Sequence, residues 1–378
     1  MDPPTRHQFV ISRCYDTIAA MAFIHRPLVI IGAGQSGLTA ARAARDAGLT
    51  PLVLEAGPRA TGSWPNYYDS LRLFSPARFS AIPGHRPIEA DPDDYPGRDV
   101  IADYIEGFSA SIDVEVRTNT RVADVEPAEH GYVVHTATGE AIEAVGVVAA
   151  SGSFGTPHLP TLPGRNEFTG NVLHVADYRN PEPYVGQRVI VVGGGNSAVQ
   201  VGHELAQVAT VTLATRQPIN LVDQRRDGRD LHHFLTAGFD HLPVEWFAPF
   251  ITGGLVLDIG GYRKSFDAGV LDRRPLFTGF DAHGVLWADG TRERVDTVLL
   301  ATGYRPNLGY LSGLGALDET GAPRHTGGIS TTRPGLAYVG LEFQRSFASN
   351  TLRGVGADAG HIMAPLAAYA AGFHTGLV

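Results

Sequence analysis

The chain has 378 residues, of which 43% are hydrophobic, a formal net charge of -9 at pH 7 and one cysteine, Cys14. This composition indicates a globular protein that is long enough for two or three domain-sized units. The net negative charge argues against a general nucleic-acid binder, because phosphate binding depends on clustered cationic side chains. A single cysteine excludes an internal disulfide, a C-x-x-C redox pair and a cysteine-based zinc site.

The first segment, residues 1–25, mixes charged residues and proline with its apolar positions, unlike a secretory signal. We interpret it as an N-terminal extension outside the core. Elsewhere no apolar run approaches the roughly 18 residues of a membrane span. The sequence therefore predicts a cytoplasmic protein whose partners include neither a membrane nor a nucleic acid.

Residues 28–55 have the pattern of a βαβ unit. An apolar run leads into a glycine turn, which is followed by an alanine-rich helical stretch up to Gly48 and a second strand that ends at Glu55. The turn carries a G-x-G-x-x-G motif, whose glycines are Gly32, Gly34 and Gly37. Such glycines permit a tight turn and a close approach of the backbone to a pyrophosphate. The unit predicts a dinucleotide site in which the Glu55 carboxylate accepts hydrogen bonds from ribose hydroxyls.

The pattern returns in residues 188–216. A strand at Val189–Val192 precedes a G-x-G-x-x-A turn and a helix, and a further strand leads toward Thr215. Alanine is allowed in place of the third glycine of this motif. The predicted contacts of a second dinucleotide are Gly193, Gly195, Asn196, Ser197, Ala198 and Arg216.

Arg216 stands 23 residues after the first glycine of its turn, as Glu55 does after Gly32. An acid pairs with a free ribose 2′-hydroxyl, whereas an arginine accommodates a 2′-phosphate. The first site therefore fits FAD and the second fits NADPH. Two different dinucleotides on one chain imply hydride transfer between them. The alternative for Arg216 is a solvated loop residue.

A further motif lies between the two units. The stretch FTGNVLHVADYRNP, residues 168–181, has the rhythm F-x-G-x-x-x-H-x-x-x-Y, which neither an amphipathic helix nor an alternating strand explains. Its residues are Phe168, Gly170, His174 and Tyr178. The motif resembles the fingerprint of flavin-containing monooxygenases and lies at that family's position between two dinucleotide motifs. Three more stretches fit the family, namely GSWPNYYDSLRLFSP (62–76), VVAASGSFGTPHLP (147–160) and DTVLLATGYRP (296–306).

The resemblance implies an α/β fold with two Rossmann-like dinucleotide-binding domains. The FAD-binding domain would comprise residues 26–160 and 297–378, and the NADPH-binding domain, residues 161–296, would be inserted between its two parts. Gly152 and Gly303 would end the strands where the chain crosses between domains, although a buried strand that ends in a turn has the same pattern. The fingerprint would lie at the junction beside NADPH.

The resemblance also implies the role of His174 and the reaction. His174 would orient backbone rather than act as an acid or base; a buried linker histidine is the alternative. NADPH would reduce FAD, oxygen would add to form a C4a-hydroperoxyflavin, and its distal oxygen would pass to a small molecule. Tyr178, where the Baeyer-Villiger branch usually has Trp, favours a soft nucleophile, a sulfide or an amine, without excluding a ketone.

The expected partners are therefore a small-molecule substrate and O2. No metal ion is expected to bind, and homodimers are common in the family. For FAD the predicted contacts are Gly32, Gly34, Gly37, Glu55 and Trp64, with Ser349, Asn350 and Thr351 near the flavin ring. The last three precede an apparent final helix, and a polar helix cap is the alternative for them. Two departures from the family pattern are Phe74, where animal members carry Asn, and Ser151 in place of the Thr of A-T-G.

Two competing functions remain open. One is an FAD-dependent NAD(P)H oxidoreductase that passes electrons to an unidentified acceptor, although the absent C-x-x-C removes its dithiol version. The other is a non-catalytic sensor, for which no output module is present. The pair His232-His233 is interpreted as part of a loop rather than as metal ligands. We interpret the charge-balanced run DQRRDGRD, residues 223–230, as solvated, with Arg225 or Arg226 as an alternative contact of the 2′-phosphate.

Overall fold

The computed structural model describes residues 26–247 and 255–373. The predicted N-terminal extension, residues 1–25, and Cys14 lie outside the described residues. Two sheets organise the chain. The first has seven strands in the order His325–Thr326, Ile329–Ser330, Leu336–Tyr338, Gly146–Ala149, Leu28–Ile31, Pro51–Leu54 and Glu115–Arg117. The second has five strands in the order Asp272–Pro275, Thr210–Thr215, Arg188–Val192, Thr297–Leu300 and Asn171–His174.

Parallel pairing dominates both sheets. The last five strands of the first sheet are parallel to one another, and so are all five strands of the second. The fold is therefore the α/β type with two Rossmann-like units that the sequence predicts. We label its central elements β1 (Leu28–Ile31), α1 (Gln35–Asp46), β2 (Pro51–Leu54), β3 (Arg188–Val192), α2 (Asn196–Leu205), β4 (Thr210–Thr215) and α3 (Val355–Ala370).

Burial follows from the apolar runs of the sequence. β1 and β2 are buried along their whole length, as expected for parallel strands that are covered on both faces. On one face of the first sheet, α1 packs the small side chains of Ala41 and Ala44 into one core with Ile362 and Leu366 of α3. Small side chains permit this close packing, which fixes the start of α1 beside the segment that leads into α3.

Shorter elements cover the two sheets. Antiparallel strands form three-stranded sheets at Val122–Pro127, Tyr132–Thr136 and Ala141–Ala144, and at Gly279–Asp281, Gly284–Leu286 and Arg292–Arg294. Two-stranded pairs join Asn220–Val222 to Leu255–Leu257 and Arg225–Arg226 to Arg229–Asp230. The remaining α-helices of the described residues are Arg98–Ser111, Leu231–Ala237, Val244–Phe247 and Tyr262–Asp267.

The chain passes between the two sheets along two linkers that pair with each other. Thr156–Pro157 runs antiparallel to Tyr304–Arg305. The strand Thr297–Leu300, which the sequence analysis assigned to the FAD-binding part, lies in the second sheet and pairs with β3. That boundary is therefore wrong by one strand, because the apolar run before Ala301 completes the second sheet before the chain leaves it. The assignment of one cofactor to each unit stays a prediction.

Candidate active site

The first glycine turn joins β1 to α1 and leaves the amides at the helix start without side-chain partners. Gly34 is the N-cap residue, no side chain caps the helix, and its first turn contains no acidic residue. Gly32 has a φ of +108°, and a Cβ on Gly37 would lie 1.8 Å from the Gly32 carbonyl oxygen. Both positions therefore require glycine. The turn presents a positive helix end that fits a pyrophosphate.

Glu55 follows β2 and reaches back to the glycine turn. Its Oε2 accepts a hydrogen bond from the amide of Ala33 at 2.7 Å, and its Oε1 accepts one from the amide of Gly57 at 2.7 Å. A carboxylate has about four acceptor sites, so both oxygens retain capacity for ribose hydroxyls. Sequence reasoning gave Glu55 the ribose role and missed that Glu55 also holds the turn in place.

Gln35 connects two predicted FAD contacts at the start of α1. The indole Nε1 of Trp64 donates to Gln35 Oε1 at 3.0 Å, and Gln35 Nε2 donates to the backbone oxygen of Asn350 at 3.5 Å. The structure therefore brings Trp64 and Asn350 together beside the first glycine turn. Gln35 was missed in the sequence because it occupies a variable position of the G-x-G-x-x-G motif.

The three polar residues ahead of α3 differ in what their side chains do. Ser349 is fully buried, and its Oγ accepts from the amides of Arg345 and Ser346 at 2.9 and 3.0 Å. Thr351 donates through Oγ1 to the carbonyl oxygen of Ala348 at 2.7 Å. The N-cap of α3 is Gly354, and no side chain caps the helix, so these contacts hold the loop ahead of α3 together and neither Ser349 nor Thr351 is the polar cap of the alternative. The Asn350 side chain makes no hydrogen bond within residues 26–247 and 255–373.

The second glycine turn repeats the geometry of the first. Gly195 is the N-cap residue of α2, no side chain caps this helix, and no acidic residue lies in its first turn. A Cβ on Gly195 would meet no atom within 4 Å. Asn196 Nδ2 donates to the Leu255 carbonyl oxygen at 3.5 Å, whereas its buried Oδ1 has no partner in the described parts of the chain. Partly exposed Ser197 and buried Ala198 complete the predicted set at this helix start. The turn fits a second pyrophosphate.

Each glycine turn lies in close contact with the linker that leaves its own sheet. A Cβ on Gly32 would lie 2.7 Å from the Ala150 carbonyl oxygen, and a Cβ on Gly193 would lie 2.3 Å from that of Ala301. Gly193 has a φ of +142°. The predicted crossing segments, Ala150-Ser151-Gly152 and Ala301-Thr302-Gly303, therefore form part of the two dinucleotide turns.

Arg216 is exposed directly after β4, the place that Glu55 occupies after β2. Gly194, in the second turn, lies near the end of β4, since a Cβ there would be 3.5 Å from Thr215 Cγ2. Within the described ranges Arg216 has neither an ion pair nor a hydrogen bond. Its guanidinium is thus available to an anion beside the second turn, as the prediction of a 2′-phosphate contact requires.

The first half of the fingerprint has a packing role. Phe168 is buried with its ring centroid 5.1 Å from that of Phe280. A Cβ on Gly170 would lie 2.3 Å from Phe168 Cζ and 2.7 Å from the Asp296 carbonyl oxygen. The F-x-G spacing therefore lets the Phe168 ring fold over a residue without a side chain. This contact positions the edge strand Asn171–His174 of the second sheet.

His174 joins the fingerprint to the second linker. It is 3% exposed, and its Nδ1 accepts from the amide of Ala176 at 3.1 Å. The proton must then be on Nε2, which lies 3.1 Å from the Gly303 carbonyl oxygen and donates to it. Burial lowers the pKa of His174, so the imidazole is neutral. A neutral ring with both nitrogens bonded to backbone fits the predicted orienting role.

We expect acidification to destabilise the folded protein through its buried histidines. A histidine with a lowered pKa contributes stability that is complete above its unfolded-state pKa of about 6.5 and is lost as the pH falls through that value. The loss is at most about 1.4 kcal/mol per pH unit for each group. Burial lowers the pKa of five described histidines, His85, His174, His203, His232 and His325.

Urea unfolding between about pH 7 and pH 5 measures this loss. The variant His174→Asn keeps one donor and one acceptor. Its free energy of unfolding should depend less on pH, by the contribution of His174. Carboxylates with lowered pKa values, such as Asp230, act at lower pH. Burial raises the pKa of the Glu342 and Asp358 carboxyl groups, whose contribution has the opposite sign, so the difference between wild type and His174→Asn is the decisive quantity. The same pH dependence in both proteins would contradict the expectation.

Tyr178 ends the fingerprint in a network that the sequence did not indicate. It is fully buried, and its hydroxyl donates to Glu204 Oε2 of α2 at 2.7 Å. Ser70 donates to the same oxygen at 2.8 Å, and Tyr68 donates to Gln200 Oε1 of α2 at 2.5 Å. The loop after the first βαβ unit is thereby fastened to the helix of the second turn. Burial raises the pKa of Tyr178, which stays a donor.

The pair His232-His233 lies in the helix Leu231–Ala237, so the loop interpretation is wrong. Asp230 caps this helix, since its carboxylate accepts a hydrogen bond from the His232 amide at 2.8 Å. This cap was not predicted, because Asp230 ends a run of charged residues that was interpreted as solvated. The run itself is an antiparallel hairpin in which Arg225 and Arg226 are exposed. Within the described residues, no helix combines the length and apolar character needed to cross a bilayer.

The chain is similar to known flavoproteins over most of its length. Residues 29–228 match the family described as pyridine nucleotide-disulphide oxidoreductase. The flavin-containing monooxygenase from Stenotrophomonas maltophilia superposes with a TM-score of 0.80 at 30% identity, covering 91% of this chain and 98% of that chain.

Two curated relatives agree with this likeness. Indole-3-pyruvate monooxygenase YUCCA1 of Oryza sativa subsp. japonica is 29% identical over 313 residues, 74% of this chain and 77% of its own. An oxidoreductase of Geobacillus kaustophilus described as CzcO-like is 28% identical over 339 residues, 89% of this chain and 97% of its own. These findings confirm the predicted family and, with it, FAD and a pyridine nucleotide as cofactors. The chain belongs to the flavin-containing monooxygenases, a family of flavin-dependent oxidoreductases.

Proposed function

We propose that this protein is an NADPH-dependent FAD monooxygenase that transfers one oxygen atom of O2 to a soft nucleophile, a sulfide or an amine, of a small molecule. A ketone is the second substrate class. One observation carries the proposal: two helix starts without side-chain caps follow glycine turns, with the Glu55 carboxylate beside the first and, beside the second, the Arg216 guanidinium, which has no partner among the described residues. This difference distinguishes a site for an unphosphorylated ribose from one for a 2′-phosphate.

The first turn would hold FAD. The amides at the start of α1 would bind its pyrophosphate, and Glu55 would accept from its ribose. Trp64 and Gln35, which bond to each other, would flank the cofactor next to Asn350. When bound and reduced, the flavin supplies the electrons that activate O2. The chain's own task is to exclude water and to hold the substrate close to the flavin.

The second turn would hold NADPH. The amides at the start of α2 would bind its pyrophosphate, and Arg216 would pair with its 2′-phosphate. The unpartnered Oδ1 of Asn196 gives this site an acceptor that the apoprotein leaves unused. Tyr178 and His174 position the site, because the first fixes α2 and the second fixes the linker at Gly303. The expected location is the cytoplasm, and a homodimer is a further prediction that light scattering tests.

Anaerobic reduction followed by mixing with oxygen tests the function. The FAD-loaded protein is reduced with NADPH and then exposed to O2 with or without methyl phenyl sulfide. We expect sulfoxide in proportion to NADPH consumed, and little hydrogen peroxide. Stoichiometric hydrogen peroxide whatever sulfide or amine is added would instead favour the oxidoreductase that passes electrons to another acceptor.

The substitution His174→Ala should slow flavin reduction by NADPH about fivefold, because a hydrogen bond to a buried backbone carbonyl contributes about 1 kcal/mol. It should also raise the share of oxygen released as hydrogen peroxide while the FAD content stays unchanged. Stopped-flow absorbance and a peroxide assay measure both effects. His174→Asn, which can bond to backbone on both sides, should recover part of the rate. An unaltered and fully coupled His174→Ala enzyme would contradict the role.

A further inference from the structure

A buried polar cluster lies between the hairpin of residues 225–230 and the first unit. His232 is 0% exposed, and its Nδ1 lies 2.9 Å from Asp230 Oδ1. Its Nε2 is buried and has no hydrogen-bond partner in the described parts of the chain. Burying such an atom without a partner is costly, so it calls for an explanation.

Asp230 fixes which nitrogen of His232 carries the proton. Its carboxylate accepts from the Tyr95 hydroxyl at 2.8 Å, from Gln224 Nε2 at 2.8 Å and from the His232 amide at 2.8 Å. A carboxylate accepts, so His232 Nδ1 must donate to it. Burial lowers the pKa of His232, and the neutral ring therefore keeps Nε2 as an acceptor.

Gln224 provides a second unpartnered acceptor in the same cluster. Its Nε2 donates to Asp230 Oδ2 and, at 3.3 Å, to the Phe74 carbonyl oxygen. If the Gln224 amide were flipped, its oxygen would face the oxygens of Asp230 and Phe74, which are both acceptors. The orientation of the Gln224 amide is therefore fixed. Its buried Oε1 has no partner among the described residues. The cluster therefore offers two acceptors, His232 Nε2 and Gln224 Oε1.

Aromatic rings hold the imidazole from the side of the first unit. The centroids of Phe74 and Phe79 lie 6.0 and 6.4 Å from that of His232, with interplanar angles of 25° and 28°. Phe79 and Asp230 also line a cleft of about 320 Å³ that opens to the surface. Charged side chains such as Arg78, Arg225 and Arg229 complete the lining of this cleft. His232 and Gln224 do not line it themselves and adjoin it through Phe79 and Asp230.

The cluster is close to the proposed FAD site. Arg353 forms a 2.7 Å ion pair with Asp240, which lies in the turn Phe239–His241 directly after the helix that carries His232. Arg353 follows Asn350 by three residues, and the Asn350 oxygen accepts from Gln35 at the first glycine turn. Segments that carry the predicted flavin contacts therefore meet the acceptor cluster.

We propose that His232 and Gln224 form the polar end of the substrate pocket and accept hydrogen bonds from a neutral N–H or O–H group of an aromatic substrate. This deepens the proposed function and rests on it. Two acceptors select a donor. The Asp230 carboxylate already accepts four hydrogen bonds and leaves no free anion for a cation, and the absence of a free donor among the described residues of the cluster disfavours an anion. Flanking phenylalanines favour an aromatic body.

Calorimetry on the oxidised FAD-loaded protein tests this without turnover. The probes are 4-(methylsulfanyl)phenol and methyl 4-tolyl sulfide, in which a methyl group of similar size replaces the hydroxyl. We expect the phenol to bind about tenfold more tightly, the effect of one buried hydrogen bond. His232→Phe, which keeps a ring between Phe74 and Phe79, should abolish the difference. Gln224→Met should reduce it.

His241→Phe is the matched control, because His241 is an exposed histidine of the neighbouring turn Phe239–His241, does not line the cleft and should retain the tenfold difference. FAD content and the rate of reduction by NADPH verify that each variant is intact. The inference would be overturned by equal binding of the two sulfides, by no binding of either, or by a preference that both His232→Phe and Gln224→Met retain. The two acceptors would then bind a trapped water only. A preserved preference for the phenol without oxygen transfer would contradict the proposed function alone.

Discussion

Replacing Gly37 by alanine is expected to lower FAD retention at least tenfold. The added Cβ would lie 1.8 Å from the Gly32 carbonyl oxygen, which is backbone and cannot turn aside. The start of α1 must then move away from the turn, and with it the amides that face the pyrophosphate. The absorbance ratio of flavin to protein after gel filtration measures retention, and far-UV circular dichroism shows whether the fold persists.

Gly360→Ala provides the matched control. Gly360 lies within α3, and a Cβ there would meet no atom within 4 Å. This substitution should leave FAD content unchanged and stabilise the helix by up to about 1 kcal/mol. If Gly37→Ala retained FAD as well as Gly360→Ala does, the first turn would not be the pyrophosphate site.

Replacing Arg216 by glutamine is expected to raise the apparent KM for NADPH by about ten- to a hundredfold and to change that for NADH little. A hydrogen bond to a charged group contributes about 1.5–3 kcal/mol, and NADH lacks the 2′-phosphate that would receive it. Arg216 has no competing partner within the described residues, so its loss should leave the surrounding structure unaltered. Steady-state rates with both cofactors give the two KM values.

Arg226→Gln is the control for the alternative phosphate contact in the hairpin. Arg226 is exposed, and its 3.9 Å ion pair with Asp227 contributes little. This variant should keep the wild-type preference for NADPH. Equal changes with NADPH and NADH in Arg216→Gln would remove Arg216 from the 2′-phosphate site, and a loss of preference in Arg226→Gln would assign the contact to the hairpin.

The local parts of the site could be read from the sequence. Strands β1 and β4, both glycine turns and the placing of Glu55 and Arg216 after matching strands depend on residues that lie close together in the chain, where pattern and turn chemistry decide. The spacing of Phe168 and Gly170 was visible too, although its reason is a contact between their own atoms.

The long-range parts could not be read. The bond from His174 to Gly303 spans 129 residues, and the bond from Tyr95 to Asp230 spans 135. Such pairs arise when two sheets and their linkers meet, and no periodicity encodes them. For the same reason Gln35 and Glu204 were overlooked: each is ordinary in its own stretch of sequence, and only its distant partner gives it a role.

The close approach of Ala150 to Gly32 and of Ala301 to Gly193 links the two linkers to the two glycine turns. Each segment that the two units would use as a hinge also contacts a glycine turn that we propose as a nucleotide site. A rotation of one unit against the other would therefore deform both turns, and a nucleotide that tightens a turn would stiffen the hinge behind it. Because such coupling is reciprocal, occupancy of one turn and the relative orientation of the units determine each other.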